Sequence, residues 1–481
     1  SIRDFNRFTA TSVGIPLQNL TEPAVFVIKK NSSTLKNLLE WLREHNAKRG
    51  VETIDTPMLL IDDEADNASI NIKYGKGEVS RINGQIRQLL RMSERSCYVG
   101  YTATPFANIF IDPDTDDEML GDDLFPRDFI VGLNPPSNYF GPRTVFLEPD
   151  NSVLRPILDN EDLLPLKHKK DLSIRALPPS LRMAIRTFVV ASAVRLVRGH
   201  SGQHMSMLVN ASRFTDVQGQ LRDEIHNFLE SVQSSIRVHG ALSAAQTLRD
   251  PEIHALHDVW SGESYSDTTE WSQVQGRLLD AVARIRVVEV NSRSSGKLNY
   301  ADYADSGLHV IAVGGFSLSR GLTLEGLMVS YFLRNSMMYD TLMQMGRWFG
   351  YRPGYEDLCR VWMPEEAAGW YEHIAESTEI LRSELRAMEA ANATPADFGL
   401  RVRSHPDTLV VTARNKLGSG EKVLVKIGLG NNFIETATLH RDAGSLAVNR
   451  KALARFVQKL GASGAGVERA ERVSGGYLLT G

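Results

Sequence analysis

Only two cysteines, Cys97 and Cys359, occur in 481 residues, too few for a disulfide scaffold. Both sit in apolar, strand-like segments and are expected to be reduced core residues, as in a cytoplasmic protein. No apolar run is long enough to span a bilayer and no signal-peptide pattern opens the chain, so no membrane partner is expected. The net charge is only −4, which excludes a histone-like binder acting through global charge but not a protein with one basic groove. No internal repeat and no extended low-complexity tract is present. No Asp or Glu has Lys two positions later, so the acid-x-Lys centre of a PD-(D/E)xK nuclease is missing, and no His-rich metal cluster replaces it. The phosphate loop G-x-x-x-x-G-K-S/T is missing too; Gly75-Lys76-Gly77 and Gly296-Lys297-Leu298 lack its hydroxyl and its glycine spacing.

What remains is an ordinary soluble globular composition, 42% apolar and 23% charged, with length for two to four domains. The most informative stretch is residues 57–67, PMLLIDDEADN. Four apolar residues predict a buried parallel strand that runs straight into Asp62, Asp63, Glu64 and Asp66. Acids at the carboxyl end of such a strand lie where open α/β sheets bind ligands. An Asp there can hold Mg²⁺ on a nucleotide's phosphates, and the following Glu can orient water.

The surrounding pattern is β-α-β-α-β, which favours a parallel sheet with helices on its faces. Residues 25–28 (VFVI) predict a strand, and Ser32 and Ser33 are candidate N-caps for a helix carrying Leu35, Leu38, Leu39 and Leu42. Residues 84–92 predict a helix and 96–101 a strand. Residues 112–180 read as an irregular connector, with a solvated acidic loop at 114–123. A second α/β unit follows. Its helices are expected at 183–197 (amphipathic), 214–232, 339–349 and 366–390, and its strands at 205–209, 285–290, 309–313, 328–332 and 358–362. Residues 239–275 read as an inserted helical piece. The tail carries hairpin-like strands at 408–412 and 422–427 and a helix at 450–460.

Three further segments carry chemistry. In Tyr101-Thr102-Ala103-Thr104-Pro105, two hydroxyls at a strand end face the crevice of the acids. Thr102 and Thr104 can hydrogen-bond those acids, Asp66 included, and couple them to the nucleotide state. Residues 314–327, GGFSLSRGLTLEGL, form a Gly- and Ser-rich turn where backbone can approach phosphates, with Arg320 and Thr323 as candidate contacts. In Gln344-Met345-Gly346-Arg347-Trp348-Phe349-Gly350-Tyr351-Arg352, two arginines on a helix and its end suit a clamp on a γ-phosphate. Trp348 and Phe349 are expected in the core. Nucleic-acid phosphates are expected at strand-to-helix loops: Lys29, Lys30 and Asn31 in the first unit, and Asn210, Ser212 and Arg213 in the second.

DEAD, TATP, SRGLT and QMGRWFGYR, in this order on two α/β units, resemble the superfamily-two helicases and translocases. More narrowly, FVIKKN, GYTATPFANIFID, DLFPRDFI, SMLVN and QMGRWFGYRPGYEDLCR resemble the Z-one domain family, whose members accompany helicase-type ATPases in prokaryotic restriction and defence loci. The resemblance runs over residues 23–414. It implies an α/β fold of two RecA-like parallel-sheet lobes and a small C-terminal α+β accessory domain. The first lobe (1–135) is incomplete at its N-terminus, and a connector (136–180) follows. The second lobe (181–393) has its insertion at about 236–280, and the accessory domain is 394–481.

It also implies ATP and Mg between the lobes. Asp63 holds the metal, Glu64 activates water, and Asp66, Thr102 and Thr104 couple the nucleotide to DNA. Gly321 and Thr323 line the cleft, and Gln344, Arg347 and Arg352 supply the arginine motif. Two departures stand out: the arginines are five apart where three is usual, and Thr323 stands where an Asp is usual. The missing phosphate loop is expected upstream of this chain.

The expected function is therefore a nucleic-acid-stimulated ATPase of helicase or translocase type, with DNA and the proteins of a restriction or antiphage complex as partners. The alternatives are an endonuclease-associated subunit of a restriction system and a non-catalytic helicase-like scaffold.

Overall fold

A computed structural model describes residues 5, 16–47, 53–73, 79–111, 116–117, 121–148, 152–291, 298–315, 323–334, 338–398, 402, 411, 443–462, 466–469 and 477–480. The chain forms two compact units, Ser1–Glu421 and Lys422–Gly481. The larger unit is α/β, and two parallel sheets order it.

The first sheet is small. Helix α1 (Ser32–Asn46) leads to strand β1 (Met58–Asp63), then helix α2 (Arg81–Met92) and strand β2 (Ser96–Tyr101). β1 and β2 pair in parallel, Leu60 against Tyr98 and Asp62 against Gly100. The leucines predicted for one face of α1 are all buried, around a Trp41 only 1% exposed. Burial of each such side chain stabilises the unit by about 1.5–3 kcal/mol. The helix is capped by Asn31, whose Oδ1 accepts from Thr34 N at 2.9 Å, rather than by Ser32 or Ser33.

Both helices cover one face of this sheet. On the other, Leu59 and Ile61 are each 62% exposed, so the strand predicted to be buried is open on one side. Residues 25–28 are extended but outside any ladder. Phe26 packs on Trp41 at 5.6 Å, whereas Val25 and Val27 face outward. Cys97 lies on the exposed sheet and is not a core residue; both cysteines are free.

The second sheet is the core. In chain order follow strands β3 (Tyr139–Phe140) and β4 (Leu154–Pro156), helix α3 (Pro179–Val197), β5 (Met205–Asn210), α4 (Thr215–His239), α5 (Pro251–Gly262), β6 (Ile285–Val290), β7 (His309–Gly314) and β8 (Leu327–Phe332). Then come α6 (Tyr339–Met345), β9 (Gly350–Tyr351), β10 (Arg360–Met363) and α7 (Glu365–Ala390). Six strands, in the order β4-β10-β8-β5-β7-β6, pair in parallel throughout. β5, β7, β8 and β10 are buried at every residue, as expected of strands covered on both faces. Helix α3 is buried along nearly its whole circumference, not on one face, so its apolar content exceeds that of an amphipathic helix. The connector predicted to be irregular supplies the edge strand β4. Arg155 on β4 and Arg360 on β10 both hydrogen-bond the Glu263 carboxylate, which ties this edge to the turn after α5.

Helix α6 stops at Met345, short of the predicted residue 349. Gly346 carries the bend: a Cβ there would lie 2.5 Å from the Phe349 ring. In the smaller unit, helix α8 (Ala443–Ala462) contains the predicted helix, and β11 (Gly466–Arg469) pairs antiparallel with β12 (Tyr477–Thr480). The predicted strand at 422–427, and that at 408–412 apart from Val411, lie outside the described residues.

His309 begins β7 at 1% exposure, and burial beside Arg284 lowers its pKa from 6.5 to about 4. Its folded pKa is depressed, so the stabilisation is complete above the unfolded value and is lost as pH falls from 6.5 towards 4. The loss should be on the order of 3 kcal/mol. Comparing thermal unfolding at pH 7 and pH 4.5, His309→Gln should show a smaller drop than the parent; equal drops would remove His309 as the cause.

Candidate active-site cleft

β1 delivers its acids to a tight turn, and the structure divides them by role. Asp62 is 4% exposed and engaged from three sides. Lys30 Nζ lies 2.8 Å from its Oδ1, and Oδ2 accepts from Ser69 Oγ at 2.6 Å and Tyr98 OH at 2.7 Å. Burial and the Asp62 carboxylate push the Tyr98 phenol pKa far up, so it stays a donor. The same ammonium bonds the carbonyl oxygens of Asp63 and Glu64, each at 2.8 Å, and Ser69 Oγ at 3.0 Å. Lys30, read from sequence as a phosphate contact, therefore has its donors directed into the protein. Its neighbour Lys29 is exposed, and Asn31 serves as the α1 cap.

That cage holds the next two acids outward. Asp63 and Glu64 are exposed, the Glu64 N–H bonds Asp63 Oδ1 at 3.0 Å, and Glu64 has a left-handed backbone with φ 52°. Non-glycine residues adopt this conformation when the surroundings impose it. The turn then folds onto β2: a Cβ on Gly100 would lie 2.9 Å from Ala65 Cβ, so only glycine permits the approach.

Asp66 is buried, 2% exposed. Its Oδ1 accepts from Thr102 Oγ1 and its Oδ2 from Thr104 Oγ1, both at 2.9 Å. Gln344 Nε2, from α6 in the second sheet's half, reaches the same Oδ2 at 3.3 Å. Three segments chosen from sequence thus meet on one carboxylate.

They meet at the wall of a cleft of about 2080 Å³, lined among others by Glu64, Asp66, Thr102, Thr323, Gln344 and Arg347. Thr323 is exposed on it, while Gly321 and Arg320 lie outside the described residues.

The two arginines differ. Arg347 is half-buried in the turn after α6, not on the helix. Arg352 is 7% exposed, and its guanidinium bonds the carbonyls of Tyr351, Trp348, Phe349 and Arg347 at 3.0–3.4 Å. Arg352 is thereby a clamp on its own turn. Trp348 is buried against Phe332 and Tyr371, as predicted.

The other predicted phosphate contacts lie away from this cleft, at the end of β5. Asn210 is buried. Ser212 Oγ bonds His168 Nε2 at 2.9 Å and accepts from Phe214 N at 3.1 Å, so its hydroxyl is consumed locally. Arg213 is exposed and stacks over Phe214 at 4.7 Å. The roles of Lys30, Ser69 and Tyr98 were missed from sequence. The available signal was strand register: Tyr98 opposite Leu60 puts its phenol diagonal to Asp62.

Asp63 offers an exposed hard oxygen donor, the kind Mg²⁺ takes once or twice alongside water and phosphate. Among the described residues no group of three or more His, Cys, Asp or Glu is placed to hold a metal, and no helix is long and apolar enough to cross a membrane.

Residues 180–409, a little under half of the chain, match the family model described as Z1 domain. That stretch carries Asn210, Thr323, Gln344, Arg347 and Arg352; the acidic turn, Thr102 and Thr104 lie before it. No curated protein and no solved structure matches the chain.

Removing the Lys30 ammonium leaves Asp62 buried without its counter-charge, which costs about 3 kcal/mol. Lys30→Ala should therefore lower the unfolding midpoint in urea clearly, and Lys29→Ala should change stability by less than about 0.5 kcal/mol. Equal, small effects of the two substitutions would show that the cage does not hold the turn.

Proposed function

We propose that the chain is a nucleic-acid-stimulated, Mg-dependent ATPase of helicase or translocase type, working with DNA and partner proteins in a restriction or antiphage system. The observation that carries this reading is the Asp66 carboxylate shared by Thr102, Thr104 and Gln344. It joins the acidic turn, the hydroxyl strand end and the arginine turn at one cleft wall, as a nucleotide-dependent switch requires. The Z1 domain match supports the defence setting. In this reading the two parallel-sheet halves are RecA-like lobes, and 422–481 belongs to an accessory domain.

ATP would lie in the cleft, with Mg²⁺ on Asp63 neutralising charge on the phosphates. Glu64, exposed and pushed forward by its left-handed backbone, would accept the proton of an attacking water. Arg347, half-buried and lining the cleft, would meet the γ-phosphate, while Arg352 braces the turn that carries it. Thr323 would line the ribose side, where Gly321 is the further candidate. Asp66, with its three donors, would transmit nucleotide occupancy to the lobe that carries α6. A non-catalytic scaffold could keep the Asp66 joint but has no use for two exposed acids beside it.

ATP hydrolysis by the intact gene product, with Mg²⁺ and with or without duplex or single-stranded DNA, tests this. The rate should rise with DNA, fall about 10²–10⁴-fold in Glu64→Gln and about 10³-fold in Arg347→Ala. No hydrolysis under any of these conditions would overturn the motor in favour of the scaffold.

A further inference from the structure

The six-stranded sheet has a polar strand end of its own, remote in sequence from the acidic turn. β5 and β8 are neighbours, yet their outgoing connections diverge: β5 leads through α4 and α5 towards β6 at one edge, β8 through α6 towards β10 at the other. Divergence of this kind opens a crevice at the carboxyl ends of the two strands, where α/β sheets bind ligands. Asn210 ends β5 and pairs with Phe332, and Arg334 lies two residues past Phe332. The N-terminus of the 25-residue helix α4 opens beside them, with Ser212 Oγ bonded to Phe214 N.

Two polar atoms in this crevice have no hydrogen-bond partner among the described residues although both are buried. They are Asn210 Oδ1, on a side chain 1% exposed, and Arg334 Nη1. Burying such groups without partners costs about 1–3 kcal/mol each, more for a charged one. Burial lowers the Arg334 pKa, and the like charge of Arg213 adds to that effect. The Glu289 carboxylate, near the end of β6, is engaged by Arg222 at 3.6 Å and by Asn291. Backbone also closes in: a Cβ on Gly315 would lie 2.8 Å from Ser212 O, 2.7 Å from Gln218 Nε2 and 3.4 Å from Arg334 Nη1. A buried guanidinium with an unpartnered N–H, a second arginine at the same strand end, a helix N-terminus and a close-lying Gly315 call for an anion.

We propose that this crevice binds a phosphate group, with Arg334 as its anchor and Arg213 as a second, outer cation; Asn210 Oδ1 would accept from a hydroxyl of a phosphate monoester or of a free sugar, a contact that a DNA diester lacks. The phosphate has two sources, a nucleic-acid backbone diester or a free phosphorylated small molecule. In its DNA form the inference rests on the nucleic-acid half of the function proposed above, and in neither form does it need ATP turnover.

The test uses the full chain and the variants Arg334→Gln, Arg334→Lys and Arg213→Gln. The probes are inorganic phosphate by calorimetry and fluorescein-labelled duplex DNA by anisotropy over a range of salt. Arg334→Gln should weaken binding of at least one probe about 10-fold or more, with Arg334→Lys recovering most of it. Should Arg334→Gln unfold, the exposed Arg213→Gln carries the test, with a weaker loss. A DNA effect with a salt slope shallower by about 1 for each cation removed identifies the backbone diester. An effect on phosphate alone identifies the small molecule. Failure of the parent to bind either probe, or unchanged binding in both glutamine variants, would overturn the site. The loss of ATP hydrolysis in Glu64→Gln is read separately, so failure of one reading leaves the other standing.

Discussion

A buried carboxylate has to be met by hydrogen-bond donors, because an ionised group in a low-dielectric interior is otherwise too costly to keep charged. Asp66 meets that demand with donors from both halves of the larger unit, the farthest of them 278 residues away along the chain. The constraint acts in both directions. It fixes where the first sheet's last turn sits relative to α6, and it makes Thr102, Thr104 and Gln344 mutually dependent. Any shift between the halves must unmake part of this joint or carry all of it along.

Asp62 answers the same demand locally. Lys30, Ser69 and Tyr98 saturate it, and the ammonium that does so also gathers the carbonyls of Asp63 and Glu64. The four acids of the turn thus acquire three characters: an ion-paired structural acid, two exposed acids, and, past Ala65, the joint. Their differences come from strand alternation and turn geometry, because three of the four are the same amino acid.

The sequence was most legible where burial and periodicity coincide. β5, β7 and β8, buried at every residue, begin or end within a residue of the predicted bounds, since continuous apolar runs between polar turns leave little choice; β6 and β2 have the predicted bounds although they are less buried. It misled where apolar content did not mean burial. Residues 58–61 have the composition of a doubly covered parallel strand, yet helices cover only one face of the β1–β2 sheet. At the site, residue types were readable but their engagements were not. Lys30 and Arg352 have the same chemistry as free phosphate ligands, and only the three-dimensional supply of carbonyls and carboxylates turns them inward. Arg334 was invisible for the opposite reason: a lone arginine after a strand has no motif, and what marks it is a buried Nη1 without a hydrogen-bond partner.

The free thiols add a consequence of their own. Alkylating reagents attack the thiolate, and burial pushes Cys359 up to about 12 while hiding it. Cys97 stands in the open on β2, among the cleft's lining residues and on the strand that ends at Tyr101. A maleimide dye will therefore mark one position without any engineered cysteine. Its emission then becomes a spectroscopic window on the cleft, placed five residues from the first hydroxyl bound to Asp66.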